Sequence, residues 1–194
     1  MTDDQARADI TMIRAALEEG RSYATARSPD MIVWGCLIAA GYLGTWASVT
    51  GHLPLPPLWL WLGILTAGWL IYIVLRLLGR KPGAPRLTVM ALRMVWLGIG
   101  IGLTITSLVG NYLGHLGMGW FDPFGAAMFG AAFFASATLC GLPWLRWVAV
   151  AWWVGELGTF WLLGNVMSLP FSAALYVLLL AGPGLALRLR PHTA

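Results

Sequence analysis

Residues 31–75 read MIVWGCLIAAGYLGTWASVTGHLPLPPLWLWLGILTAGWLIYIVL, a stretch without one formal charge. A transmembrane helix needs ~20 predominantly apolar residues to cross a hydrocarbon core of ~30 Å. This stretch is long enough for two. Its centre, Gly51-His52-Leu53-Pro54-Leu55-Pro56-Pro57, divides it, because proline brings no N–H to a helical ladder and punctuates it. The spacing therefore predicts spans over 31–50 and 58–78.

The same criterion carried toward the C-terminus predicts four more spans, at about 89–112, 124–140, 144–163 and 171–187. Polar or Gly/Pro-rich connections separate them: 79–86, the loop ending at Asp122-Pro123, Gly141-Leu142-Pro143, and 164–170. Composition agrees. The chain is 59% hydrophobic and 10% charged, whereas a soluble domain carries ~25% charged residues. The expected fold is an all-α membrane protein: six transmembrane helices as a compact bundle of three hairpins, preceded by a short amphipathic helix. It divides into 1–28, a cytoplasmic amphipathic helix; 29–190, the transmembrane domain; and 191–194, a cytoplasmic tail. A signal peptide is not expected, because Asp3-Asp4 stands where a basic n-region belongs.

The twelve basic residues set the orientation. Arg7, Arg14, Arg21 and Arg27 precede span 1. Arg76, Arg80, Lys81, Arg86 and Arg93 cluster around the second connection. Arg146 lies in the fourth, and Arg188 and Arg190 lie at the end. The other three connections hold none. The positive-inside rule then places both termini in the cytoplasm, for a multi-pass protein of a bacterial inner membrane. Trp34, Trp96, Trp144 and Trp147 fall near the cytoplasmic ends of spans, and Trp46, Trp59, Trp61, Trp120 and Trp161 near the outer ends, where indoles favour the headgroup level. Trp69, Trp152 and Trp153 are mid-span.

Residues 2–28 differ. Thr2-Asp3-Asp4-Gln5 fits a capping box. Ile10, Ile13 and Leu17 recur at helical spacing, with Arg14, Glu18 and Arg21 on another face. Such a helix lies on the lipid surface, which is the expected partner of the whole chain, or docks a cytosolic or membrane protein. Gly20 is expected to weaken it. The pI near 9.5 is accounted for by topology and anionic headgroups, so no direct nucleic-acid partner is expected.

Small residues let membrane helices approach closely. Gly98/Gly102 and Gly110/Gly114 form GxxxG pairs. Gly41-Tyr42-Leu43-Gly44-Thr45-Trp46 is echoed by Gly155-Glu156-Leu157-Gly158-Thr159-Phe160, so Gly41, Gly44, Gly155 and Gly158 join the candidate packing positions. Glu156 is the only formal charge well inside a span, where a charge costs about 2.5–3.5 kcal/mol on insertion scales. It heads a candidate intramembrane polar site with Asn111, His115, Trp152 and Trp153. The outer rim adds Asp122, His52 and Asn165. The ordinary alternative for Glu156 is a structural hydrogen bond between helices.

Catalysis is not expected. No Gly-x-Ser-x-Gly turn or Walker A sequence occurs, and convergent titratable groups are few. Cys36 and Cys140 lie in apolar runs without metal spacing, so neither metal nor cofactor is expected.

Ile13-Arg14-Ala15-Ala16-Leu17-Glu18-Glu19, Arg21-Ser22-Tyr23 and Ile32-Val33-Trp34-Gly35 resemble the start of a group of uncharacterised bacterial six-span inner-membrane proteins with an N-terminal amphipathic helix, often paired with a small winged-helix regulator. That resemblance implies a regulatory or partner-binding role and carries no catalytic residues. In architecture alone the chain is similar to the substrate-binding subunits of energy-coupling-factor vitamin transporters, in which small residues on span 1 meet a partner; Gly35, Ala39, Ala40 and Gly44 are the corresponding face. The leading expectation is a non-enzymatic polytopic protein acting through protein partners. The alternative is a small-solute or proton-coupled carrier subunit using Glu156 and the outer polar rim.

Overall fold

The computed structural model describes residues 3–78, 87–110 and 121–189. All regular structure among them is helical. We number seven helices: α1 (Asp3–Ala26), α2 (Ser28–Val49), α3 (Pro57–Leu78), α4 (Leu87–Ile105, continued by a π turn over Thr106–Gly110), α5 (Phe121–Leu139), α6 (Trp144–Trp161) and α7, which runs Ser168–Tyr176, a π turn over Val177–Ala181, and Gly182–Leu189.

Four stretches are long and apolar enough to cross a membrane: Ser28–Val49, Pro57–Leu75, Leu87–Val109 and Ser168–Leu189. They belong to α2, α3, α4 and α7. Helices α5 and α6 do not reach that standard among the described residues. Their sequences explain it: α5 is rich in Gly, Ala and Ser and carries Asp122 in its first turn, and α6 carries Arg146 and Glu156. Apolar side chains such as Leu70, Ile73, Val74 and Leu77 on α3 and Leu178 and Leu185 on α7 are exposed on the outside, the pattern of a helix bundle whose solvent is lipid.

Helix pairing departs from a simple set of three sequential hairpins. The closest pairings are α5 with α6 and α2 with α7, whereas α4–α5 and α6–α7 are looser. Backbone approach is the cause. An added Cβ on Gly35 of α2 would stand 2.7 Å from the Ala181 amide nitrogen of α7, and one on Gly184 would stand 2.9 Å from the Ser28 carbonyl oxygen. The core sits where α2, α5, α6 and α7 meet. Phe133, Ala149, Trp152 and Leu180 are buried there, and Phe129 stacks on Trp152 with centroids 5.0 Å apart.

Helix α1 is a full 24 residues. Gly20 is buried because its Cβ would fall 2.4 Å from the Leu139 carbonyl oxygen; close approach to the end of α5, rather than helix weakening, explains it. Arg21 reaches the Gly141 carbonyl (3.4 Å). The N-terminal half of α1 leaves the bundle, and Ile10, Met12 and Ile13 are 51%, 68% and 60% exposed. One residue, Arg27, joins α1 to α2, with the Arg27 amide donating to the Tyr23 carbonyl and its own carbonyl accepting from the Asp30 amide.

Candidate functional site

Among the described residues two cavities open within the bundle. The apolar one, about 160 Å³, lies between α2, α3, α4 and α5. Trp34, Trp61, Trp69, Trp96, Phe129 and Phe133 line it. Glycines make room for the indoles: the Trp34 ring lies 2.7 Å from the Cβ position of Gly68, and the Trp61 ring 2.9 Å from that of Gly41. Each indole N–H needs an acceptor when buried. Trp69 Nε1 donates to Thr104 Oγ1 (3.2 Å), Trp96 Nε1 to Ser136 Oγ (3.1 Å) and Trp61 Nε1 to Thr45 Oγ1 (3.0 Å). These bonds fix the rings as a rigid aromatic wall. Trp34, Trp61 and Trp96 thus serve the interior, while Trp59, Trp147 and Trp161 are the most exposed of the described indoles.

At the α1 end this cavity is bounded by Tyr23, Arg27, Asp30, Tyr72 and Arg93. Arg27 pairs through Nη1 with Asp30 Oδ2. Its guanidinium carbon lies 5.6 Å from the Tyr23 ring centroid and 5.5 Å from that of Tyr72, both within cation–π range.

The second cavity, about 290 Å³, lies at the opposite end and is more polar. Asp122 is its charged group. Tyr42 donates its hydroxyl to Asp122 Oδ1, and Ser172 Oγ donates to Oδ2 at 3.0 Å. Tyr42 also stacks on Tyr176 (5.6 Å) and meets Trp61 edge-on (5.3 Å). A buried carboxylate is tolerated only when hydrogen bonds replace water, and these two hydroxyls from α2 and α7 do so. Thr45, Thr159 and Asn165 also line this cavity. Trp61, Ser107 and Phe121 line both cavities, so the two spaces share a wall.

Of the residues expected to form one intramembrane site, the described ones, Glu156, Trp152 and Trp153, do not share a cavity. Glu156 is half-buried and is not among the described residues lining either cavity; its carbonyl accepts from Thr159 Oγ1 at 2.8 Å. Trp152 is buried in the core and donates to the Leu179 carbonyl (3.1 Å). Trp153 packs on Phe134 and on Gly130 at the α5–α6 contact. Asn111, His115 and Gly114 lie outside the described residues. Of the rim residues, Asp122 and Asn165 enter the second cavity, while His52 stacks on Trp46 and meets Thr50 (2.9 Å).

Among the glycines expected at packing seams, Gly98 and Gly102 face open space among the described residues, with no described atom within 4 Å of an added Cβ. Gly110 lies in the π turn of α4. Gly41 and Gly44 receive Trp61 and Leu60 of α3, and Gly155 and Gly158 receive Leu175 and Phe171 of α7.

Sequence reasoning placed Asp122 in a loop, because Pro123 follows it. The helix begins at Phe121 instead, with Pro123 in its first turn, where a missing N–H costs nothing, and this draws Asp122 inside. The aromatic cavity had one legible sign, the mid-span Trp69. No family model, curated protein or solved structure matches the chain.

Proposed function

We propose that the protein is a non-enzymatic, six-span inner-membrane protein that binds a small apolar or amphipathic molecule within its bundle, as a carrier or receptor subunit. One observation carries this: an aromatic cavity and a polar cavity lie end to end through the helices and share Trp61, Ser107 and Phe121 as a common wall. Concave, mostly apolar sites with a few placed polar groups are the usual form of small-molecule pockets. Asp122 takes the polar role first assigned to Glu156. In the six-span arrangement α5 and α6 cross as a closely packed pair in which α5 supplies most of the small residues, and the distribution of basic residues favours cytoplasmic termini.

The test is a bound-ligand analysis. Protein is purified from native membranes, and small molecules released on unfolding are identified by mass spectrometry, beside a variant filled at the cavity by Gly100→Phe. A molecule retained by the natural protein and lost from the folded variant is the expected result. Identical contents in both would reject the reading.

A second reading rests on α1, whose exposed Ile10, Met12 and Ile13 fit helix-in-groove docking to a protein partner. The described part of α1 to Arg21 holds five acidic residues and three basic ones, a balance suited to a protein surface rather than anionic lipid. Affinity capture with Ile10→Asp/Ile13→Asp should lose a partner that the natural protein retains; unchanged partners would discard this role.

A further inference from the structure

Arg27 stands out among the charged residues. Its Nη1 is committed to Asp30, yet its Nη2 is buried with no hydrogen-bond partner among the described residues. An unsatisfied buried donor on a charged group is costly, and guanidinium nitrogens are normally filled by oxygen acceptors. The residue lines the end of the aromatic cavity. The Tyr23 and Tyr72 rings lie beside it, and since guanidinium N–H groups point in the plane of the group, a further acceptor would meet Nη2 along that plane. Arg93, exposed, lines the same end. Asp30 neutralises one of these two cations, so this end of the cavity carries a net positive charge. Beyond it the walls are indole and phenyl rings, with few polar groups.

We propose that the ligand of this cavity is an amphipathic oxyanion. Its carboxylate or phosphate oxygen accepts from Arg27 Nη2, and its single apolar chain or ring system lies along Trp34, Trp69 and Trp96. The inference rests on the ligand-binding reading above and adds the chemical class and the recognising atom. The oxyanion has two sources, a free fatty or aromatic carboxylate and the phosphate of an anionic phospholipid. The narrow aromatic slot favours the former.

The experiment uses the full chain in nanodiscs of zwitterionic lipid and reads quenching of tryptophan fluorescence by contact. Three probes are compared: a brominated dodecanoate, the matching brominated dodecanol, and brominated phosphatidylglycerol. Gly100→Phe defines the background from probe in the bilayer. The dodecanoate is expected to bind ~10- to 100-fold more tightly than the alcohol, the range of a charge-assisted hydrogen bond. Arg27→Gln should remove that difference and leave the alcohol unchanged. Because Arg27→Gln strands Asp30, the pair Arg27→Gln/Asp30→Asn is measured beside it, and Arg27→Lys should restore part of the preference.

Equal binding of acid and alcohol, above the Gly100→Phe background, would overturn the role of Arg27 while leaving the cavity a ligand site. A preference for the acid that survives in the folded double variant would do the same. No probe binding above background would end the cavity reading itself. Binding of the phosphatidylglycerol alone would retain Arg27 and reassign the source to lipid.

Discussion

Asp122 shows how one residue ties helices together. Its carboxylate accepts from Tyr42 on α2 and from Ser172 on α7. Asp122→Ala leaves two buried hydroxyls without their acceptor, at about 1–3 kcal/mol each, partly offset because a buried charge no longer has to be desolvated. Asp122→Asn retains a carbonyl oxygen for one of them. Thermal unfolding in detergent should therefore rank the natural protein above Asp122→Asn and Asp122→Ala lowest; equal melting of the two variants would show that the carboxylate does not hold these helices. Glu156→Gln, by contrast, touches no side-chain partner among the described residues and should move stability by no more than about 0.5 kcal/mol. Charge counting drew attention to Glu156 because it is visible as an isolated charge in an apolar run. It gave Asp122 only as a rim residue at the end of a loop, because the position of its side chain depends on where α5 begins, and helix starts at proline are ambiguous by one turn.

At the scale of helices, the echo between residues 41–46 and 155–160 has a structural counterpart. In both hairpins a Gly-x-x-Gly pair takes side chains from the following helix, and a buried threonine, Thr45 or Thr159, donates 2.8 Å to a carbonyl one turn earlier. Each connection then turns at a glycine with positive φ, Gly51 at 81° and Gly164 at 79°, a conformation glycine adopts without a Cβ penalty. Both threonines line the polar cavity, so the two hairpins present matching positions to it. Glycine pairs were legible as a motif, but which of them bear contacts was not, since GxxxG spacing does not say which face is covered. Gly35→Ala should cost about 1–3 kcal/mol by overpacking against the α7 backbone. Gly98→Ala should be neutral or gain up to ~1 kcal/mol from helix propensity. Parallel melting curves check both, and an equal loss in the two would contradict the packing described.

For the whole molecule, the helical class and the positions of the helices were readable from charge and hydropathy alone, with ends shifted by up to three residues. Pairing was not, because membrane sequences use few residue types and the closest contacts join α2 to α7 across the length of the chain. Nor was the cavity, since aromatic residues placed at span ends by an interfacial preference turn inward when a glycine on the neighbouring helix admits them. Single cysteines at His52 and Arg14, in a background lacking Cys36 and Cys140, test the orientation: an impermeant maleimide added to intact cells should label position 52 and spare position 14. The reverse pattern would invert the topology.

A single residue separates the first two helices, and that residue is Arg27. Between that residue and the exposed Ile10 and Ile13, Gly20 seats against the end of α5 and Arg21 bonds the Gly141 carbonyl. The outward arm is thus clamped at its root, and its apolar tip keeps a fixed station relative to the mouth that Arg27 guards.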